Sequence, residues 1–183
     1  MPTRKTTKEE IIFACSKVFR EKGYYNSSVA DLAAACGISK GLFYHHYKNK
    51  EELMIEAIKF IHQFIKEKLF SVAFSDETAK YRVSKLIAVC MKVFVSDMCG
   101  CFIGNTVLET ASSDPKFKPY LKQFFKDWKH AMIVILKDNI VNEKPEDLAD
   151  KVIVDIEGSL MLMRLYDDPG YLKKSFERLK ALV

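Results

Sequence analysis

The feature that most limits what this chain can fold into is the punctuation of its first fifty residues: three short helical stretches, each opened by a hydroxyl side chain, the first two stopped by glycine. Thr7 and Glu10 stand three apart as a capping-box pair, each side chain placed to satisfy a backbone N–H near the other. Ile11, Ile12, Cys15, Val18 and Phe19 then recur on one face, and Gly23 ends the run. Ser28 with Asp31 opens a second helix, which carries Val29, Leu32, Ala33 and Cys36 on one side and stops at Gly37. Ser39 caps a third, with Leu42, Phe43 and Tyr47 spaced to pack inward. Helices of seven or eight residues do not hold themselves up in water. The second and third are of that length and are therefore expected to pack on the first as one small body.

The helical period continues to the end of the chain. A fourth helix is expected from Lys50 to about Val72, with Ile58, Ile61, Ile65 and Leu69 on one face, and a fifth from Tyr81 to Val95. Residues 100–113 predict a loop and a short helix from Gly104. Asp114-Pro115 predicts the start of a long helix, because proline is tolerated in a first turn. Pro145 opens another helix reaching Tyr166, residues 167–170 break it, and a last helix carries Leu172, Phe176, Leu179 and Val183 on one face. No strand-like alternation and no internal repeat is found. The expected fold class is all-α, with a three-helix helix-turn-helix domain over residues 1–50 and a larger helical domain over residues 51–183.

Composition narrows the function classes. With 49% hydrophobic and 12% aromatic residues the chain can bury a substantial core. Its longest stretch free of charge, Met98 to Leu108, is far shorter than the roughly 18 residues of a membrane span. Arg4, Lys5 and Lys8 are followed by Glu9 and Glu10 where a signal peptide would be apolar. Five scattered cysteines fit a reducing compartment, and a soluble, cytoplasmic protein is expected. Cys99 and Cys101 have no histidine nearby, His62 and His130 are isolated, and neither a metal nor a cofactor is expected. No nucleophile elbow, phosphate loop or HExxH pair supports an enzyme. Residues 1–50 hold nine Lys/Arg against four Asp/Glu, while residues 51–183 hold twenty of each. The whole excess of +5 sits in the first quarter, as a polyanion-binding head on a neutral body would require.

Ser28 to Lys50 joins two short helices through Gly37 and Ile38, an arrangement whose second helix enters the major groove of DNA. On that second helix Lys40, Gly41, Tyr44 and His45 are expected to face outward. Gly41 lets backbone approach DNA, and Tyr44 offers a ring edge to thymine methyls and a hydroxyl to phosphate. Ser28, Ser39 and Lys50 are placed to grip phosphates at helix N-termini.

The run from Gly37 to Leu53, GISKGLFYHHYKNKEEL, resembles the signature of the TetR/AcrR family of bacterial transcriptional regulators, and Phe19, Gly23-Tyr24, Ser28-Val29 and Asp31-Leu32-Ala33 match its pattern upstream. Leu42 stands where that family often has threonine, and Tyr47 where phenylalanine is usual. The resemblance implies a ligand-responsive repressor that binds a palindromic operator in double-stranded DNA as a homodimer. It implies DNA contacts at Ser28, Ser39, Lys40, Gly41, Leu42, Tyr44, His45, His46 and Lys50. It also implies a small, largely apolar effector held by the C-terminal domain, with Phe60, Phe64, Phe94, Phe102, Phe124, Trp128 and Met132 on the segments that would surround it. Asn105 and Glu109, one helical turn apart, are the polar candidates for reading that effector. The nearly all-apolar stretch from Val152 to Met163 needs cover on more than one side, so Gly158 and Leu160, with Leu172, Phe176 and Leu179 from the last helix, are the expected dimer interface. An all-α enzyme and a helical protein-interaction module without specific DNA binding are the alternatives.

Overall fold

The computed structural model describes residues 7–96, 98–137 and 143–183. Arg4 and Lys5, part of the N-terminal basic excess, lie outside them. Among the described residues there are nine α-helices, one 3-10 turn and no strand: α1 (Lys8–Lys22), α2 (Val29–Ala35), α3 (Lys40–His46), α4 (Lys50–Lys68), the 3-10 turn (Phe70–Phe74), α5 (Ala79–Val95), α6 (Phe102–Thr110), α7 (Lys118–Leu136), α8 (Pro145–Tyr166) and α9 (Gly170–Lys180). The chain divides into two compact units, one of residues 1–62 with 102–121, the other of residues 63–101 with 122–183.

The local signals act as expected in the first unit. Thr7 and Glu10 close a reciprocal capping box on α1, and Ser28 and Asp31 do the same on α2. The Ser39 hydroxyl accepts from the Leu42 N–H at the start of α3, and the Asn49 side chain accepts from the Glu52 N–H at the start of α4. Gly23 and Gly37 both adopt positive φ, +83° and +65°, which side chains disfavour. Ile11, Cys15, Leu32, Phe43, Leu53, Ala57, Ile58 and Ile103 are fully buried. This unit is larger than the 1–50 domain expected from sequence, because it takes in α4 as far as His62, α6 and the first residues of α7. Helix α6 begins at Phe102, and Gly104 lies inside it rather than at its start.

In the second unit α8 packs most extensively on α9, and α5 packs on α9 and on the 3-10 turn. Val83, Met132, Ile135, Ile156, Leu160, Met163, Leu172 and Phe176 form its interior. Asp167 takes the left-handed conformation (φ 51°) that ends α8. Two expected boundaries differ. Helix α4 stops at Lys68 and gives way to the 3-10 turn. Helix α7 starts at Lys118 rather than at Pro115: the Asp114 carboxylate accepts from the Lys116 N–H and the Pro115 carbonyl from the Lys118 N–H, so the Asp-Pro pair makes a turn ahead of the helix.

Candidate DNA interface

Helix α3 is held by two aromatic anchors. Phe43 is wholly buried and Tyr47 nearly so, their rings 6.0 Å apart. Burial pushes the Tyr47 phenol up to about 12, and its oxygen has no hydrogen-bond partner. With these two side chains turned inward, Ser39, Lys40, Gly41, Leu42, Tyr44 and His45 are exposed along one side, and His46 is half-buried. Leu42 departs from the inward packing expected of it. It is 41% exposed beside Tyr44 at 54%, because a seven-residue helix anchored at positions 43 and 47 turns position 42 away from the core. The outer surface of α3 thus combines the Lys40 ammonium, the bare backbone of Gly41, the apolar Leu42, the ring and hydroxyl of Tyr44 and the His45 imidazole, a mixture suited to phosphates, base edges and thymine methyls.

The remaining expected phosphate contacts are placed differently. Ser28 is exposed at the head of α2, but its hydroxyl is engaged with Asp31. Hydrogen bonds from Lys22 and from Ser28 hold the Asp31 carboxyl well below the usual carboxylate range. Lys50 turns inward: its ammonium donates to the Tyr24 carbonyl at 2.7 Å and the Ser27 carbonyl at 2.9 Å, and sits 4.3 Å from the centre of the Tyr24 ring. Burial draws its pKa down, while the Glu109 charge acts in the opposite direction. Lys50 therefore clamps the turn between α1 and α2 instead of facing outward.

Glu109 grips the same turn. One carboxylate oxygen accepts from the Tyr24 N–H and the other from the Tyr25 N–H, both at 2.7 Å, across more than 80 residues of sequence. The Tyr24 ring packs edge-on against Phe117 at 5.0 Å, and the Tyr25 hydroxyl meets the Ser113 hydroxyl at 2.7 Å. A Cβ added to Gly23 would lie 2.9 Å from both Glu109 oxygens. Both oxygens of Glu109 are thus taken by backbone, which corrects its expected place as the reader of an effector. Neither side of this clamp was legible from sequence, since nothing local ties Glu109 to Tyr24.

The other expected effector residues are divided between the two units. Phe60, Phe102 and Asn105 belong to the first unit; Phe64, Phe94, Phe124, Trp128 and Met132 belong to the second. Phe64 is 50% exposed on α4. Phe124 and Trp128 are buried, in an aromatic cluster with Phe70 and Phe125 whose ring centres lie 5.4–6.5 Å apart.

The expected dimer residues also need correction. Leu160, Leu172, Phe176 and Leu179 are at most 3% exposed within a single chain, because they form the interior between α8 and α9. Gly158 is half-buried with open space where a Cβ would stand. The large apolar residues that α8 turns outward are Val154, Met161, Leu165 and Tyr166, each at least 57% exposed. Val154, Gly158, Met161 and Leu165 follow one another at steps of four, three and four, one face of a helix. That spacing was present in the sequence, on the side of the helix opposite Ile153, Ile156, Leu160 and Met163.

Comparison with known proteins agrees with this architecture. Residues 7–57 match the bacterial regulatory proteins of the tetR family, and residues 79–177 match the C-terminal domain of LmrA/YxaF-like transcriptional regulators. An uncharacterized HTH-type transcriptional regulator in the lacX 3'region of Lactococcus lactis is 25% identical over 97% of this chain and 93% of its own. The HTH-type transcriptional repressor DhaR of a Mycobacterium species is 24% identical over 88% of this chain and 84% of its own. The crystal structure of a TetR transcriptional regulator from Legionella pneumophila superposes with a TM-score of 0.87, at 25% identity and full coverage of both chains. With helix-turn-helix unit and C-terminal helical domain both matched, this chain belongs to the TetR family of bacterial regulators and is a DNA-binding transcriptional regulator.

Proposed function

We propose that the protein is a repressor that binds a palindromic operator as a homodimer and leaves it when a small, largely apolar effector binds, with no catalysed step of its own. The observation that carries the DNA half is the outward set on α3, Lys40, Gly41, Leu42, Tyr44 and His45, on a helix pinned from behind by Phe43 and Tyr47. Ser39 and His46 would flank it, against phosphate oxygens, while Ser28, its donors held by Asp31, serves as the cap of α2. The named repressor among the relatives supports the sign of regulation. No helix among the described residues is long and apolar enough to cross a membrane, which accords with action on DNA in the cytoplasm.

The homodimer is proposed to form through the outer stripe of α8, Val154, Gly158, Met161 and Leu165, with a two-fold axis that presents two copies of α3 to successive major grooves about 34–36 Å apart. Such a stripe leaves apolar area in water unless a second copy covers it. The effector is proposed to enter the second unit beside Phe94, Trp128 and Met132. It would favour a conformation whose α3 spacing no longer fits, lowering operator affinity by a coupling energy of about 1–3 kcal/mol.

The experiment is a fluorescence-anisotropy titration of a duplex selected by the protein from a random pool, repeated across salt concentrations. Specific binding that weakens steeply with salt supports the reading, since phosphate contacts release counterions. Equal affinity for selected and random duplexes would leave the protein a non-specific binder and remove the operator.

A further inference from the structure

The two cysteines of the DNA-reading unit are in contact. Cys15 lies on α1 and is wholly buried; Cys36 is the C-terminal cap of α2 and is partly exposed. Their sulfurs are 3.4 Å apart. Each also sits 3.7 Å from a carbonyl oxygen of the facing segment, Cys15 from that of Leu32 and Cys36 from that of Ile11. The pair therefore links the middle of α1 to the C-terminal cap of α2. Gly37, at φ +65°, and Ile38 follow Cys36 immediately and lead into Ser39, the cap of α3.

We propose that Cys15 and Cys36 are a redox-responsive dithiol that closes to a disulfide under a hydroperoxide and thereby releases the protein from DNA; the release rests on the DNA-binding reading above, the dithiol does not. Cys36 is the group that meets the oxidant, because it alone of the two reaches solvent. The hydrogen bond from the Cys15 thiol lowers its pKa and favours the thiolate, the reactive form. The thiolate attacks one peroxide oxygen: an S–O bond forms, the O–O bond breaks, hydroxide leaves and Cys36 becomes a sulfenic acid. The Cys15 sulfur then attacks the Cys36 sulfur: the S–S bond forms, the S–O bond breaks, and the hydroxyl departs as water with the Cys15 proton. With hydrogen peroxide the leaving hydroxide takes up the proton shed by Cys36, so two thiols and one peroxide give one disulfide and two waters, the peroxide taking both electrons. A dithiol reductant reverses the step by exchange.

The consequence for DNA follows from distance. A disulfide holds its sulfurs at about 2.05 Å, so the two sulfurs, now 3.4 Å apart, must approach by more than about 1 Å, and in a core packed without slack the rotation of the two side chains also shifts α1 against the C-terminal cap of α2. That displacement falls three residues before the cap of α3. Hydrogen bonds to base edges and phosphates tolerate only tenths of an ångström before weakening.

The test uses the full chain carrying Cys99→Ser and Cys101→Ser, treated with hydrogen peroxide, and a duplex selected beforehand by the reduced wild-type protein. The expected result is a loss of about 2 Da, the two thiol hydrogens, with the bond mapped between Cys15 and Cys36. Affinity for the duplex should fall at least tenfold and return with dithiothreitol. Adding Cys15→Ser should leave a dimedone-reactive sulfenic acid at Cys36, and adding Cys36→Ser should abolish the response. Alanine replaces serine in either variant that loses its helical circular dichroism. No loss of mass, a bond mapped elsewhere, or complete 15–36 bonding with unchanged affinity would each overturn the proposal. A reduced protein that selects no duplex refutes the operator reading and the release with it, while the mass measurement still decides the dithiol.

Discussion

Replacing Glu109 with alanine should destabilise the protein through a turn 84 residues away. The carboxylate accepts two backbone N–H bonds at 2.7 Å, one from Tyr24 and one from Tyr25. A bond to a charged acceptor contributes about 1.5–3 kcal/mol net, and most of that is lost when a buried donor is left unpaired. Tyr25 is exposed, so its N–H recovers a water and counts for little, whereas Tyr24 is 8% exposed and its N–H has no such recourse. The expected loss is about 2–3 kcal/mol, which for a chain of this length corresponds to about 4–12 °C in melting temperature. Glu109→Gln should lose part of this, because its amide NH2 would face one of the two donors. Gly23→Ala should lose a comparable amount by another route: φ +83° with ψ 169° is a region reserved for glycine, costing about 1–3 kcal/mol, and the added Cβ would displace the same carboxylate. Thermal melts followed by circular dichroism decide the matter. A Glu109→Ala protein melting within about 1 °C of wild type would refute the clamp.

Tyr44→Ala is expected to narrow the gap between selected and random DNA by about 1–3 kcal/mol in anisotropy titrations; a parallel drop on both duplexes would reduce Tyr44 to a positioning contact. Lys50→Ala should lower the melting temperature while leaving the salt slope of DNA binding unchanged, since its ammonium is bonded to the Tyr24 and Ser27 carbonyls; a slope flatter by about one unit would return it to the phosphate contacts. Tyr47→Phe should raise stability by about 1 kcal/mol in urea titration, because the phenol oxygen it removes is buried without a partner; a fall in stability would mean the hydroxyl is bonded after all. On α8, Leu160→Glu should unfold the protein by burying a charge, whereas Met161→Glu should leave it folded and monomeric in sedimentation; a dimeric Met161→Glu protein would move the interface elsewhere.

The fold was legible wherever the signal was local. Caps such as Thr7 with Glu10 and Ser28 with Asp31 act within four residues, and both form as their spacing implied. Phe43 and Tyr47 announced the inner side of α3 by their separation of four. What escaped was decided by partners distant in sequence. Glu109 had the pattern of a polar group on an apolar helix, and only the three-dimensional course of the chain brings the Tyr24 and Tyr25 amides to it. Lys50 looked like a free cation at a helix start until the carbonyls of the α1–α2 turn appeared beside it. Leu160, Leu172, Phe176 and Leu179 have the periodicity of any buried stripe, which does not say whether the cover comes from the same chain or a second copy. The Asp114-Pro115 start failed for a simpler reason: an aspartate before proline suits a turn as well as a helix opening.

Hydroxyl-radical footprinting of the selected duplex, with wild type and with Met161→Glu, tests the paired reader itself. Wild type should protect two half-sites related by a two-fold axis, their centres about one helical turn apart. Both protections should weaken together when Met161→Glu separates the protomers. A single protected half-site with wild type, or an unchanged paired footprint from a Met161→Glu protein that sediments as a monomer, would contradict a two-fold reader assembled through α8.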